Sequence, residues 1–251
     1  MNPSAYFRRA ALAVLPATVL LAACSKTDTP APTPAVDQGR VLISHAAAAA
    51  NTQITAFAND QQVAQLNYGQ STAYTNVNAG NATIRINNGS AVVSTQTVAV
   101  AKGQNYSVFA YSPTATIGSA SLLAIPDDLT APAAGTAKVR LVHLGVGAAT
   151  PVRLSIPAAT PTGTPNDLTT DVAFGTASAF VVVNAGALSL SVTPAAAPRT
   201  PVVAMVGDGT GAGTGSKTFE SGKIYTVVVR GIAGSGVPAA QQLQAVIIAN
   251  N

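Results

Sequence analysis

Short apolar runs rich in Val, Ile and Thr alternate with turn-forming residues from about residue 39 to the end of the chain. Runs of this length and composition predict β-strands. Residues 83–86 and 91–95 are one such pair, and the Asn-Asn-Gly between them tolerates the positive φ of a tight turn. No long run beyond the N-terminal leader has helical periodicity. The pattern therefore predicts an all-β protein.

Five blocks of sequence occur twice, in the same order, in the two halves of the chain. The first block is Arg-Val-Leu-Ile-Ser-His at 40–45, which is matched by Lys-Val-Arg-Leu-Val-His at 138–143. The other matched segments are 66–74 and 172–180, 77–80 and 183–186, 102–108 and 221–227, and 122–128 and 245–251. Repeats of this length predict tandem domains and not a solenoid, whose units are shorter.

The repeat sets the predicted domain boundaries. Residues 39–128 form the first domain, residues 129–135 the linker and residues 136–251 the second domain, with insertions at 159–167 and 193–217. Six or seven strands in about ninety residues predict an antiparallel, immunoglobulin-like β-sandwich for each domain. The insertions make the second domain the better candidate for contact with a partner, because loops carry function on such scaffolds. Deletion of residues 193–217 is predicted to spare folding and abolish binding.

The N-terminal leader has a positive segment and a short apolar segment. Arg8 and Arg9 precede an apolar run over residues 10–23, which is too short to cross a bilayer, since crossing takes roughly twenty residues. This is the pattern of a secretory signal. It ends in Leu-Ala-Ala followed by Cys24, which resembles the lipobox of bacterial lipoproteins. An ordinary signal with a chance cysteine is the alternative interpretation.

The lipoprotein resemblance implies where the mature chain is attached. It implies that residues 1–23 are a signal peptide, that cleavage occurs before Cys24 and that Cys24 carries a diacylglycerol. Residues 24–38 would then form the lipidated cysteine and a flexible Pro/Thr-rich tether, which cannot bury enough surface to fold. Cys24 is followed by Ser25 and not by an aspartate, and this resembles the signal for outer-membrane sorting in a bacterium with two membranes.

Charge and composition exclude one class of partner. Charged residues are only 9% of the chain, and removal of Arg8 and Arg9 leaves 11 basic against 9 acidic residues, with no basic stripe and no Trp. Nucleic-acid binding needs a clustered positive field and stacking aromatics, so none is expected. With Cys24 acylated, the mature chain would contain no disulfide.

Neither histidine nor the glycine-rich segment fits a known site. His45 and His143 occupy matched positions at the end of a first strand, and a metal takes three or four protein ligands, so each is predicted to cap backbone groups or pack on the sheet. Residues 207–217 lack the order of a phosphate loop, and Asp208 is their only carboxylate. The prediction is a flexible insertion loop. No catalytic, cofactor-binding or metal residue is predicted, and no cofactor.

Acidic pairs and aromatic pairs were the remaining candidates for chemistry. Adjacent residues of a strand point to opposite faces, so Asp127 and Asp128 should not act together. Asp167 and Asp171 are predicted to be solvated loop acids. The matched aromatics could form a sugar-stacking face, but their repetition favours packing in the core. These aromatics are Tyr68, Tyr74, Phe174 and Phe180.

The repeated marks resemble the bacterial domain of unknown function 4397, a family of extracytoplasmic β domains. The marks are a first strand that ends in His, an aromatic-Gly pair with a second aromatic six residues later, a small-residue-Ala-Gly turn and Gly-x-x-Tyr at a late strand. They cover residues 39–128 and 136–251. In the family a Pro/Asp-containing loop follows the first-strand histidine, whereas alanines follow His45 and Leu144-Gly145 follows His143. The family has no settled function to carry over.

The function expected from these observations is a lipid-anchored cell-envelope protein. It would act as a non-catalytic structural or binding module, adhesion-like, attached to a membrane through its lipid and contacting a glycan, polymer or envelope protein. The alternative is an envelope enzyme or enzyme accessory domain, which would assemble a site from distant loops, for example His143 with Asp167 or Asp171.

Overall fold

The computed structural model describes residues 36–160, 163–200 and 202–251, and residues 36–251 form one compact unit. Its regular structure is all-β, as predicted, apart from two short 3-10 segments at Ala48–Ala50 and Ala239–Gln241. Across these ranges, no helix is long and apolar enough to cross a membrane. The predicted signal peptide, Cys24 and most of the predicted tether lie outside the described residues.

Eight strands make up the N-terminal half, and they form two four-stranded sheets. The N-inner sheet has the order β4-β1-β7-β8, and the N-outer sheet has the order β3-β2-β5-β6. The strands are β1 (Gln38–Ala46), β2 (Ile54–Ala58), β3 (Gln61–Leu66), β4 (Thr75–Asn78), β5 (Gly80–Asn88), β6 (Ala91–Val100), β7 (Asn105–Tyr111) and β8 (Ser121–Asp127).

The described part of the C-terminal half contains eleven strands, most of them shorter than those of the N-terminal half. The C-inner sheet has the order β12-β9-β18-β19, with β13 also on β9; the C-outer sheet has the order β11-β10-β15-β16, and β14 pairs with β17. The strands are β9 (Thr136–Val146), β10 (Val152–Ile156), β11 (Asn166–Asp167), β12 (Thr176–Ala177), β13 (Val181–Asn184), β14 (Gly186–Leu188), β15 (Ser191–Pro194), β16 (Ala204–Met205), β17 (Lys217–Phe219), β18 (Ile224–Ile232) and β19 (Gln244–Ala249).

The same pairing pattern occurs in both halves. The first strand of each half lies inside its sheet and pairs in parallel with a late strand, β1 with β7 and β9 with β18. This differs from the prediction of a purely antiparallel sandwich, and the immunoglobulin-like detail is not confirmed. An immunoglobulin sandwich has the orders ABED and CFG, with its first strand at a sheet edge.

Three apolar cores hold the described body together. One fills the space between the inner and outer sheets of the N-terminal half, and a second does the same in the C-terminal half. The third lies between the two inner sheets and joins Ala46 and Phe109 to Val142, Leu144 and Val228. Both inner sheets are therefore covered on both faces, which explains why β9 and β18 are buried along nearly their whole length.

Residues 193–217 are part of the scaffold, which reverses the prediction that they are dispensable for folding. Thr193 lies in β15, the segment contains the whole of β16, and Val206 is completely buried in the C-terminal core. In the N-terminal half, β5 and β6 form one long hairpin. In the C-terminal half, its two ends correspond to the shorter strand pairs β14–β17 and β15–β16. The insertion at 193–217 divides the hairpin into these two pairs, and its own residues still contribute strands to the C-terminal half.

Candidate functional site

Both histidines are fully buried and bonded to backbone. His45 Nε2 lies 2.9 Å from the carbonyl oxygen of Thr52, and His143 Nε2 lies 3.1 Å from that of Ala149. In each ring Nδ1 accepts the backbone N–H two residues later, so Nε2 carries the proton. Burial lowers the pKa of both rings, which keeps them neutral. The predicted structural role is confirmed.

The aromatic-Gly pairs join the two halves. The Arg230 guanidinium of the C-terminal half lies over the Tyr68 ring of the N-terminal half, 4.7 Å from its centroid. At the matched place, Tyr111 of the N-terminal half meets Phe174 of the C-terminal half edge-on at 5.9 Å. Tyr68 and Phe174 also each pack on the buried histidine of their own half at 5.8 Å. Packing, and not an exposed sugar-stacking face, is the role of these rings.

A buried ion pair also connects the two inner sheets, near the start of β9 and away from the contact between Tyr68 and Arg230. Arg140 on β9 and Asp127 on β8 are 1% and 0% exposed, and Arg140 Nη2 lies 2.5 Å from Asp127 Oδ1. That contact is not aligned as a hydrogen bond, and no described residue donates one to this oxygen. Arg140 donates to the hydroxyls of Thr226 and Ser107, and the Ser107 hydroxyl donates to Asp127 Oδ2 at 2.7 Å.

The polar cluster continues through Tyr74 and closes on the C-terminal half. The Tyr74 hydroxyl donates to Asp127 Oδ2 at 2.5 Å and accepts from the Asn250 amide at 3.0 Å. Asn250 Oδ1 in turn accepts from Thr226, which completes a ring of bonds. Burial and the charge of Asp127 raise the pKa of Tyr74 to about 12. Every polar member of this cluster bonds within the cluster, so its role is structural.

The acidic residues singled out in the sequence differ in their burial and in their ion-pair partners. Asp127 is buried while Asp128 is exposed and paired with Lys138, as the alternation of a strand requires. The prediction of a solvated loop acid is wrong for Asp167, which lies on β11 and pairs with Arg153 and Arg199. Burial raises its pKa, but hydrogen bonds from both arginines and from a serine outweigh burial and lower the pKa to about 2.

The glycine-rich segment at 207–217 is folded onto a sheet edge and is not the flexible loop that the sequence predicted. The Ile247 amide of β19 donates to the Gly209 carbonyl at 2.8 Å, and Thr210 forms a bridge to Val246. The segment thereby covers the free edge of β19, which protects the sheet from pairing with another strand. Asp208 accepts the amide and hydroxyl protons of Thr210, which lowers its pKa.

One cavity lies between the two halves beside Arg230. Its volume is about 250 Å³. The residues that line it come from both inner sheets, from the connection between β3 and β4 and from the folded glycine-rich segment: Ser44, Ala46, Gly69, Ser71, Gly209, Thr210, Val228, Arg230, Val246, Ile247 and Ile248. Arg230 is the one charged side chain in this lining. The cavity is therefore the candidate site for a ligand.

Sequence reasoning missed Arg230, although a signal was present. Arg230 follows Ile-Tyr-Thr-Val-Val-Val in β18, and a charge inside such a run needs a specific reason. The predicted lipidation residue Cys24 lies outside the described residues. In the ranges that are described, no group of three or more His, Cys, Asp or Glu side chains gathers as metal ligands.

Residues 27–151 match the model of the family described as Domain of unknown function (DUF4397). This stretch of the chain belongs to that family. The DUF4397 stretch contains the whole N-terminal half and continues through β9 with His143 and Arg140. It therefore extends beyond the predicted domain boundary at residue 128 and includes one strand of the C-inner sheet.

Two solved structures cover most of the chain at low similarity. One is described as a "putative cell adhesion protein" from Bacteroides uniformis; it is 11% identical, the match covers 87% of this chain and 98% of that one, and the TM-score is 0.28. The other has the same description and comes from Bacteroides eggerthii, with 12% identity, 85% and 96% coverage and a TM-score of 0.24. A search of curated proteins found no match to the chain.

Proposed function

We propose that the chain is a lipid-anchored protein of the bacterial cell envelope whose β body acts as a non-catalytic structural or binding module. Cys24 would carry the lipid, and the residues between Cys24 and the start of β1 at Gln38 would hold the body away from the membrane surface, which in a two-membrane host would be the outer membrane. The partner would be a glycan, a polymer or an envelope protein.

The observation that carries the non-catalytic role is that the histidines and acidic side chains singled out in the sequence are bonded to other groups of the protein. The two histidines bond to backbone carbonyls, and Asp127 and Asp167 pair with arginines. A general acid or base must be free to exchange a proton with a substrate. Groups that are committed to internal bonds favour a module that binds or supports over one that catalyses.

We also propose that the C-terminal half is a second copy of the DUF4397 domain. Support comes from the pairing of its strands, in which β9 and β18 repeat the parallel pair β1 and β7. Matched residues also serve matched roles: Ser107 donates to Asp127, and Thr226 donates to Asn250 at the equivalent positions.

The anchor is tested by the substitution Cys24→Ser. We expect the variant to accumulate as an unprocessed precursor that incorporates no labelled fatty acid, because serine lacks the thiol that forms the thioether. The matched control is Ser25→Ala, which leaves the cysteine in place and should be labelled like the natural chain. Labelling of the Cys24→Ser chain at the natural level would contradict the anchor.

Binding is tested on residues 25–251 produced without the leader. We expect a glycan array, or a pull-down from solubilised cell envelopes, to capture at least one reproducible partner. A chain with Arg230→Gln serves as a comparison in the same screens. Failure to bind on the array and in the pull-down would favour a purely structural spacer over a binding module.

A further inference from the structure

Arg230 is a buried cation without a carboxylate partner. The residue is 8% exposed, its Nε makes no hydrogen bond with any described residue, and none of the ion pairs within the described ranges includes it. The face of the Tyr68 ring attracts the guanidinium through its quadrupole, but it does not supply the full negative charge of a carboxylate. A buried charge without a counter-charge is costly to the fold.

The groups around Arg230 do not offset its charge. His45, whose ring packs on Tyr68, is held neutral by burial and by its bonds to backbone. At the matched position of the N-terminal half the residue is Tyr111, so the charge is not required by the packing of this interface. Burial lowers the pKa of Arg230, as expected for a cation that is removed from water without a partner.

The chain makes specific room for the guanidinium at the cavity wall. Gly69 has a φ of +93°, and a Cβ at that position would lie 2.6 Å from Arg230 Nη1 and 2.7 Å from Nη2. Any other residue there would push the guanidinium away. Ser44, Ser71 and Thr210 bring hydroxyls to the same cavity, and the rest of its wall is largely aliphatic.

We propose that this cavity binds an oxyanion group with a single negative charge, such as a carboxylate or a sulfate ester on a sugar. Arg230 would supply the positive charge, and the hydroxyls of Ser44 and Ser71 would donate the remaining hydrogen bonds. A guanidinium fork matches such a group in shape as well as in charge. The cavity volume of about 250 Å³ has room for one sugar unit.

The proposal rests on the binding role proposed above, and not on the lipid anchor. It narrows the partner to a negatively charged polymer or glycan. A single cation favours a monoanion over a phosphate monoester, which carries close to two charges at neutral pH. Loss of lipid labelling in Cys24→Ser and loss of anion binding in an Arg230 variant are separate readouts, so either proposal can fail alone.

The test compares four probes on one sugar scaffold: glucuronate, glucose 6-sulfate, glucose 6-phosphate and neutral glucose. The full chain is purified in a non-ionic detergent, and its Tm is measured against probe concentration at constant ionic strength. At ten times the Kd, glucuronate or the sulfate should raise the Tm by about 3–6 °C. Glucose should leave the Tm unchanged, and the phosphate should act more weakly.

Three variants test whether Arg230 is responsible for the binding of the charged probes. Arg230→Gln should weaken the binding of glucuronate at least about tenfold, because it removes the charged donor. Arg230→Lys retains the charge but not the fork, and should bind more weakly than the natural chain. Arg85→Gln is the control, because Arg85 also stacks on an aromatic ring but already pairs with Asp60 and lies in the N-outer sheet.

The proposal is overturned if no charged probe shifts the Tm of the natural chain, or if Arg230→Gln responds as strongly as Arg85→Gln. Equal responses to glucose and glucuronate would also overturn it, since the charge would then be irrelevant. If Arg230→Gln does not fold, calorimetric titration of the natural chain and of Arg230→Lys decides the question. Equal Kd values for those two chains would contradict a guanidinium site.

Discussion

Replacement of Asp127 by alanine is expected to lower the free energy of unfolding by about 3–5 kcal/mol, the range found when one partner of a buried ion pair is removed. The substitution leaves the Arg140 guanidinium, which is 1% exposed, without its counter-charge. It also removes the acceptor of the Tyr74 and Ser107 hydroxyls. Urea unfolding, with the m value checked for two-state behaviour, measures the loss.

The neighbouring acid provides the matched control for Asp127. Asp128→Ala removes a surface pair with Lys138, and the Asp128 side chain is 60% exposed, so its loss should be several times smaller. A double variant in which Asp127 and Arg140 both become leucine should recover part of the loss, because no buried charge is then left alone. Equal losses for Asp127→Ala and Asp128→Ala would show that the buried pair does not hold the halves together.

Deletion of residues 193–217 is expected to prevent the C-terminal half from folding. The deletion removes the end of β15, all of β16 and the buried side chain of Val206, whose burial alone is worth roughly 1.5–3 kcal/mol. It also removes the segment that covers the edge of β19. Since the whole margin of stability is about 5–15 kcal/mol, the loss of a strand pair and part of a core is decisive. Circular dichroism and resistance to proteolysis measure the outcome.

A shorter replacement separates the scaffold from the covering segment. Exchange of residues 208–216 for Asn-Gly preserves β15, β16 and β17 and leaves only a short bulge between β16 and β17, which follow one another along β15 and β14. We expect this chain to fold, with reduced protection of β19 amides in hydrogen exchange, because the Gly209 carbonyl is gone. If the longer deletion folds as well as this exchange does, the segment 193–207 is not part of the scaffold.

The local pattern of the sequence was enough to predict the longer strands and the role of the histidines. The Asn-Asn-Gly segment begins with the last two residues of β5, and the turn to β6 follows at Gly89, which has a φ of +57°. His45 and His143 bond to nearby residues, seven and six positions along the chain, so their partners were within reach of local reasoning. Alternation along β8 likewise separated Asp127 from Asp128.

The contacts between the halves could not be predicted in the same way. The bond between Tyr74 and Asn250 joins residues 176 positions apart, and no local pattern specifies such a pair. A signal nonetheless existed in β18 and in the second half of β9, where apolar residues fill most positions and do not alternate with polar ones. A strand of that kind is covered on both faces, and in a tandem protein the second cover is supplied by the other half. Arg230 stands out within β18 as a charge that needs a partner.

Residues 159–167 and 193–217 were interpreted as loops because they interrupt the repeat. The structure places short strands there instead, since β11 pairs with β10 and β16 pairs with β15. Two-residue strands have no periodicity that a sequence can reveal. Their pairing is decided by the neighbouring strand, and in the case of Asp167 by two arginines that reach it from β10 and from residue 199.

Scanning calorimetry of the full chain in detergent tests most directly whether the two halves form one body with a shared interface. We predict a single unfolding transition whose calorimetric and van't Hoff enthalpies agree. In Asp127→Ala the transition should remain single and occur at a lower temperature. Two separate transitions, with only one of them shifted by the substitution, would contradict it. The halves would then be independent domains, and the cavity at Arg230 would not be a fixed site.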